Sequence, residues 1–327
     1  MLRHLALLLA VASMSLMSCS RGNQADTTMR VTIPRGATLT AVAETLSARG
    51  IIQSPSLFRL YARVTGRERE IQAGTYEFHT GLSPGQALAV LVSGREALEA
   101  LSIPEGLMLF EVAERVNRQI GLPAESLLTA ARDSALTASL GGEAETLEGY
   151  LYPSTYYVRV GATASEVVEQ MLREFEARWQ PEWDARLAEL QLSRHEAVTL
   201  ASIIEGEVQF PPDGKYVSSV YHNRLARGMR LQADPTVIYA LGRRRRLYER
   251  DYQTPSPYNT YLIDGLPPGP IGQPSESSIE AALYPVRTNF LYFVARPDGK
   301  HVFSRTYREH LTTVAEVRQM ERELGVR

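Results

Sequence analysis

Hydrophobic and polar residues change their spacing several times along this chain, and each change marks an element. Val31-Thr32-Ile33 is a short β-branched run that stops at Pro34, as a strand does. Thr38 or Thr40 then caps a helix whose apolar positions are Val42, Leu46 and Ala48, ending near Gly50. Leu57, Leu60, Tyr61 and Val64 recur at helical spacing. Gly74-Thr75-Tyr76-Glu77-Phe78 alternates like a strand. Ser83-Pro84 opens a helix that carries Ala87, Leu88, Leu91 and Val92 and closes at Gly94. Further on, Leu101-Ser102-Ile103 predicts a strand, 112–120 and 123–140 predict helices, and 151–160 is extended. The capping box Thr163-Ala164-Ser165-Glu166 opens a helix through Val167, Met171, Leu172 and Phe175, and Pro181 ends that stretch. Near the C-terminus come a short helix at 279–282 and strands at 289–295 and 301–303 across a turn at Pro297-Asp298-Gly299-Lys300. A last helix bears Leu311, Val314 and Val317. The sum is an α+β chain with a small unit over residues 30–98 and a larger one over 99–327.

One helix breaks its own pattern. Ser193-Arg194-His195-Glu196 is a capping box, and the helix it starts should run to about Val208. Ala197, Ala201, Ile204 and Val208 form a stripe that Leu200, Ile203 and Val198 widen to more than half the circumference, so the helix should be buried. Glu205 and Glu207 interrupt it. A carboxylate inside an apolar arc has to be satisfied or neutral. Desolvation favours the protonated form, which is the state a general acid needs. The alternative is a structural ion pair, with Arg224 or Arg230 as partner. The i, i+2 spacing points Glu205 and Glu207 in roughly opposite directions, so the two should not act on one bond.

The region that follows offers supporting groups. A second helix spans 217–225, the chain leaves it at Gly228, runs extended, and enters another helix with Asp234 placed as N-cap and Pro235 as its first residue. Asn223 and Gln232 could bind sugar hydroxyls or satisfy backbone. Arg243 to Arg246 reads as a solvated charge run. Tyr258, Asn259 and Tyr261 lead into a proline-rich loop, residues 265–274. Such a loop is held stiff by its prolines, and it either lines a sugar groove or crosses the domain as structure.

Composition narrows the choices. The 327 residues are 44% hydrophobic and 22% charged, with a net charge of −2, which gives no basic excess for nucleic acid. The six histidines show no HxxxH or HExxH spacing, and neither a GxSxG elbow nor a phosphate-cradling glycine loop is present, so no metal or cofactor is expected. At the N-terminus a basic start precedes an apolar stretch from Leu5 to Met17, too short for a comfortable span of about 20 residues. Leu16-Met17-Ser18-Cys19 resembles a lipoprotein processing box, and Cys19 is the chain's one cysteine. Residues 1–19 thus read as a signal with lipidation at Cys19, or as a short anchor with an incidental cysteine, and 20–29 as a linker. Both versions tether the protein at the extracytoplasmic face of the inner membrane. The order of elements in 30–98 loosely resembles the LysM modules that bind cell-wall glycan; the alternative is a spacer.

Several ordered motifs resemble one family. Ala201-Ser202-Ile203-Ile204-Glu205-Gly206-Glu207 is similar to the ASIxExE segment of the endolytic murein transglycosylases (MltG, or YceG-like). So are His222-Asn223-Arg224-Leu225, the run from Gly228 to Tyr239, and Ser256-Pro257-Tyr258-Asn259-Thr260-Tyr261 with residues 265–271. Leu147-Glu148-Gly149-Tyr150-Leu151-Tyr152-Pro153 and Ile103-Pro104-Glu105-Gly106 match as well. The resemblance runs from about residue 30 to the C-terminus. It implies a membrane-bound enzyme of peptidoglycan, working beside cell-wall synthases. Such an enzyme cleaves the MurNAc–GlcNAc β-1,4 bond of nascent glycan strands and leaves a 1,6-anhydroMurNAc end, with Glu205 as acid and then base. Glu207, Asn223, Gln232, Asp234, Tyr258, Asn259 and Tyr261 would bind substrate or support Glu205. Two departures stand out: Gly206 replaces the family's usual Lys, and the family's longer N-terminal span is missing. A glycan-binding scaffold without turnover, or a hydrolase pairing Glu205 with Glu207 or Asp234, are the competing functions.

Overall fold

The computed structural model describes residues 28–140 and 144–325. The expected signal, Cys19 and most of the expected linker lie outside them. The chain divides into a first unit that ends at Ala97 and a second that starts at Leu98.

In the first unit, β1 (Thr28–Ile33) is followed by α1 (Leu39–Ala48) and α2 (Pro55–Val64), then by β2 (Gly74–His79) and α3 (Pro84–Ser93). The strand takes in the last two residues of the expected linker. β1 and β2 pair antiparallel from Thr28–His79 to Ile33–Gly74. Thr38 is the cap of α1, its hydroxyl accepting from the Ala41 amide. Ser83 and Gln86 close a capping box on α3. The core comprises Val42, Leu46, Phe58, Tyr76, Phe78, Leu88 and Leu91 among others. On α2 the buried face is Phe58 and Ala62. The periodic set Leu57, Leu60, Tyr61 and Val64 is 44–77% exposed, because Phe58 is the residue that meets the sheet and its helical neighbours.

The second unit begins with β3 (Leu98–Ser102), α4 (Leu109–Ile120), α5 (Ala124–Ala130), α6 (Ser134–Ala138) and β4 (Thr155–Arg159), with β3 and β4 antiparallel. Next come α7 (Ala164–Arg178) and α8 (Pro181–Leu190). Pro181 therefore opens a helix as its first residue, where its missing N–H costs nothing, in addition to marking the end of the one before. α9 (Arg194–Glu207), α10 (Gly214–Leu225), α11 (Asp234–Ala240) and α12 (Glu276–Leu283) follow, and the chain closes with the hairpin β5 (Tyr292–Ala295) and β6 (His301–Ser304) and with α13 (Tyr307–Glu323).

α9 is the centre of this unit. Ala197, Val198, Leu200, Ala201, Ile203 and Ile204 are all essentially inaccessible and join one large apolar cluster. The Ser193–Glu196 capping box sets its start as the sequence predicts. Burial of this many aliphatic side chains, at about 25 cal/mol per Å² of apolar surface, makes α9 a large contributor to the stability of the unit. Among the described residues no helix is long and apolar enough to cross a membrane.

Candidate active site

The proline-rich loop lies along one face of α9. His195, near the start of the helix, reaches the Pro268 carbonyl with Nε2 at 2.8 Å and the Tyr150 hydroxyl with Nδ1 at 2.9 Å. One turn before the end, the Ser202 hydroxyl accepts from the Ile271 amide at 3.0 Å. Between these tethers Pro270 packs so close to Gly149 that a Cβ there would stand 2.4 Å from the proline ring, and Gly149 has φ +84°. Only glycine serves at that position. Gln273 then locks the loop to its surroundings. Its amide donates to Leu107 O, its carbonyl accepts from Gly106, its side-chain oxygen accepts from Leu151, and its side-chain nitrogen donates to Glu148.

Glu205 is the third attachment. Its Oε2 accepts from the Ser275 amide at 3.0 Å, from the Ser275 hydroxyl, and from the Ser278 hydroxyl at 2.7 Å. Ser275 is also the N-cap of α12, so the carboxylate sits at the positive end of an eight-residue helix. Among the described residues Oε1 accepts no hydrogen bond, and the side chain is only partly buried beside Gly106. The structural ion pair therefore does not form. Arg224 spends its guanidinium on the carbonyls of Leu231 and Leu291, and Arg230 pairs with Asp264. Ser275 and Ser278 were not singled out from sequence. Serines after a proline-rich loop signal a helix start, and nothing local ties them to a carboxylate some 70 positions earlier.

Glu207 meets a different set. The Tyr221 hydroxyl donates to it at 3.0 Å and the Asp234 amide donates as well. Burial, then the nearby Asp234 charge, pushes its carboxyl up to about 7. Asp234 is not the N-cap: α11 begins with it, Ala233 takes the cap position, and the carboxylate instead accepts from the hydroxyls of Tyr261 at 2.6 Å and Tyr252 at 3.4 Å. Burial and the adjoining Asp234 raise the Tyr252 phenol to about 12, and raise Tyr261 further. Glu207, Asp234, Gln232 and Tyr261 line one cavity of about 410 Å³ together with Tyr292 and His310. Gln232 is exposed with φ +50°, a strained backbone for a non-glycine residue at the edge of a cavity.

Two expected binders turn out to be structural. Asn259 is fully buried, its amide donating to Tyr252 O and Thr254 O while its oxygen accepts from Tyr261 N. Asn223 donates to the carbonyls of Thr288 and Phe290, both at 2.9 Å. The amide nitrogen of each is thus spent on backbone carbonyls. Tyr258 lines a second cavity, of about 470 Å³, with Tyr239, His195 and Glu148, its ring centre 4.7 Å from that of Tyr239. Glu148, unremarked from sequence beyond its motif, is buried and accepts from Leu109 N and Gln273. Desolvation raises it to about 8. Gly206 gains a reason too: any Cβ would come within 2.7 Å of the Pro235 ring, so glycine lets the start of α11 pack against α9. No group of three or more His, Cys, Asp or Glu side chains among the described residues could hold a metal.

A family model described as YceG-like matches residues 31–316. The endolytic murein transglycosylase of Bacillus subtilis is 32% identical over 301 residues, covering 87% of this chain and 83% of the relative. That of Streptococcus pneumoniae serotype 2 is 30% identical over 319 residues, covering 88% of this chain and 58% of the relative. A crystal structure of a yceG-like protein from Listeria monocytogenes, 34% identical, superposes with a TM-score of 0.61 and covers 88% of this chain and 99% of its own.

Proposed function

This chain belongs to the YceG-like family, and from that premise we propose that it is an endolytic peptidoglycan lytic transglycosylase, a lyase, with Glu205 as its single acid and base. The observation that carries the assignment to Glu205 is the asymmetry of its carboxylate: three donors on Oε2 and none on Oε1. With Oε2 occupied as acceptor, the transferable proton belongs on Oε1, the oxygen left open. Oε1 gives it to the oxygen of the MurNAc–GlcNAc bond as that bond breaks at C1. The carboxylate left behind gains negative charge where the Ser275 amide, two hydroxyls and the α12 terminus already point, so little reorganisation is needed. Oε1 then takes the proton of the C6 hydroxyl while O6 closes on C1, forming the 1,6-anhydro ring. One bond is broken, one is made, and the proton passes from O6 to O4 with no water consumed. The usual pair of carboxylates in glycoside hydrolysis is unnecessary.

Glu207 and Asp234 are the carboxylates a hydrolase would use, and both are committed to tyrosine hydroxyls. Product mass separates the two chemistries, since hydrolysis adds a water and transglycosylation does not. The expected result is anhydro-ended glycan from the native chain and none from Glu205→Gln; hydrated ends, or wild-type product from the variant, would sink the proposal. We further propose that the protein is tethered through residues 1–19, by lipid on Cys19, at the extracytoplasmic face of the inner membrane, where it trims strands as cell-wall synthases make them. Incorporation of a radiolabelled lipid precursor into wild type but not Cys19→Ala is the expected result. In the first unit, the order β1, α1, α2, β2 supports a LysM-like, glycan-binding role.

A further inference from the structure

The four arginines from Arg243 to Arg246 are not simply a solvated run. Arg244 donates to both oxygens of Glu111, at 2.8 and 2.9 Å, and to the carbonyl of Gly106, the residue beside Glu205. Arg245 forms a two-pronged pair with Asp251 at 2.7 Å on each arm, which holds that carboxyl well below the usual carboxylate range and fixes the turn between them. With its neighbours anchored, Arg246 is left without an ion pair among the described residues, as is Arg318 on α13. Both line a pocket of about 610 Å³ whose other walls include Tyr248, Tyr252, Leu247 and Asp234. Asp234 accepts from tyrosines, which leaves Glu249 as the one acid of the lining with no hydrogen bond or ion pair among the described residues.

Two links run from the pocket lining toward Glu205. Arg244, adjacent to the wall residue Arg245, donates to the carbonyl of Gly106. On the other side Asp234 precedes Pro235, which packs on Gly206 next to Glu205. Free guanidiniums beside tyrosine rings and a leucine do not match a neutral sugar, which is held by carboxylates and amides. They match a carboxylate on a partly apolar, amino-acid-like group. In peptidoglycan such groups hang, as peptide stems, from the lactyl ether of MurNAc, the sugar whose C1 is cut. We propose that this pocket receives a carboxylate of a peptide stem, through Arg246 and Arg318, and makes the enzyme prefer stem-bearing strands over stripped ones. The proposal rests on the lytic transglycosylase reading.

The test uses the full chain on three substrates: glycan strands with their stems, the same strands stripped by an amidase, and strands whose stem carboxylates have been amidated. The quantity read is the ratio of kcat/KM for each modified strand to that for the native one. Wild type should favour native strands by about tenfold over both others, and Arg246→Ala/Arg318→Ala should bring the ratio close to one. A wild-type ratio of one, or a variant that loses all substrates in proportion, would overturn the proposal. A selective loss on stripped strands but not on amidated ones would overturn the carboxylate as well, pointing to the peptide backbone. Binding of a soluble stem-bearing tetrasaccharide to Glu205→Gln by calorimetry reads the pocket without turnover. There the arginine substitutions should raise Kd about tenfold, and an unchanged Kd counts against the pocket. If wild type cuts no strand at all, the catalytic reading falls, and the calorimetry still decides the pocket.

Discussion

Glu205 and Glu207 leave α9 two residues apart, yet their carboxylates meet opposite company. Glu205 is gripped on one oxygen by two serines and a helix terminus and left open on the other. Glu207 is enclosed, with a tyrosine hydroxyl, a backbone amide and a neighbouring aspartate. Hydroxyl and amide donors aimed at one oxygen prepare a carboxylate to change charge. Burial beside another acid makes a carboxylate resist charge. The helix therefore separates the proposed acid from its neighbour by 200° of rotation, at about 100° per residue, and what faces each carboxylate differs more than the residues themselves.

That contrast can be broken in four ways, taken from the largest expected effect downward. Glu205→Gln should lower the cleavage rate by about 10³-fold or more, the scale of a lost general acid and base, while the far-UV spectrum and melting temperature stay near wild type. A variant that keeps a tenth of the activity would remove Glu205 from the chemistry. Glu207→Gln should change the pH dependence of stability. Folding raises this carboxyl from an ordinary 4.5 to about 7, so the folded state holds a proton that the unfolded chain releases between those values. Its stabilisation is complete below about 4.5 and is lost as pH rises through 7, on the order of 3 kcal/mol in all. Urea titrations from pH 4.5 to 8 should fall less steeply for the variant; parallel curves would show that Glu207 is not the enclosed group.

Ser275→Ala removes one of the three donors to Glu205, the Ser275 hydroxyl, and with it the cap on α12. The expected loss is about tenfold to 100-fold in kcat with about 1 kcal/mol in stability. A loss of stability alone would reduce Ser275 to a cap. Asn223→Ala, the smallest, should cost about 1 to 2 kcal/mol by leaving the Thr288 and Phe290 carbonyls unpaired, with KM unmoved. A raised KM with intact stability would return Asn223 to the sugar.

Local chemistry was legible in the sequence. The capping boxes at Thr163 and Ser193 form as written, the helix opened by Ser83-Pro84 starts there, and the apolar arc of α9 is buried as its periodicity requires. What could not be read was anything depending on residues far apart. The grip of Ser275 and Ser278 on Glu205 spans some 70 positions, and the capture of Asp234 by Tyr252 and Tyr261 defeats a cap that looked correct locally. Asn259 misled for the same reason, since an amide in a turn looks identical whether it faces solvent or, as here, three backbone groups. On α2 both possible faces are apolar, so spacing alone could not choose between Phe58 and the Leu57–Leu60 side.

The loop that runs beside α9 is fastened at His195, Ser202 and Glu205, and the last fastening is the proposed acid. On that proposal Glu205 is a rivet as well as a reagent. Its carboxylate is oriented by a segment some 70 positions further along the chain, so a molecule in which that segment is undocked lacks this orientation. On the proposed role of Glu205, docking of the loop is then a condition for cutting.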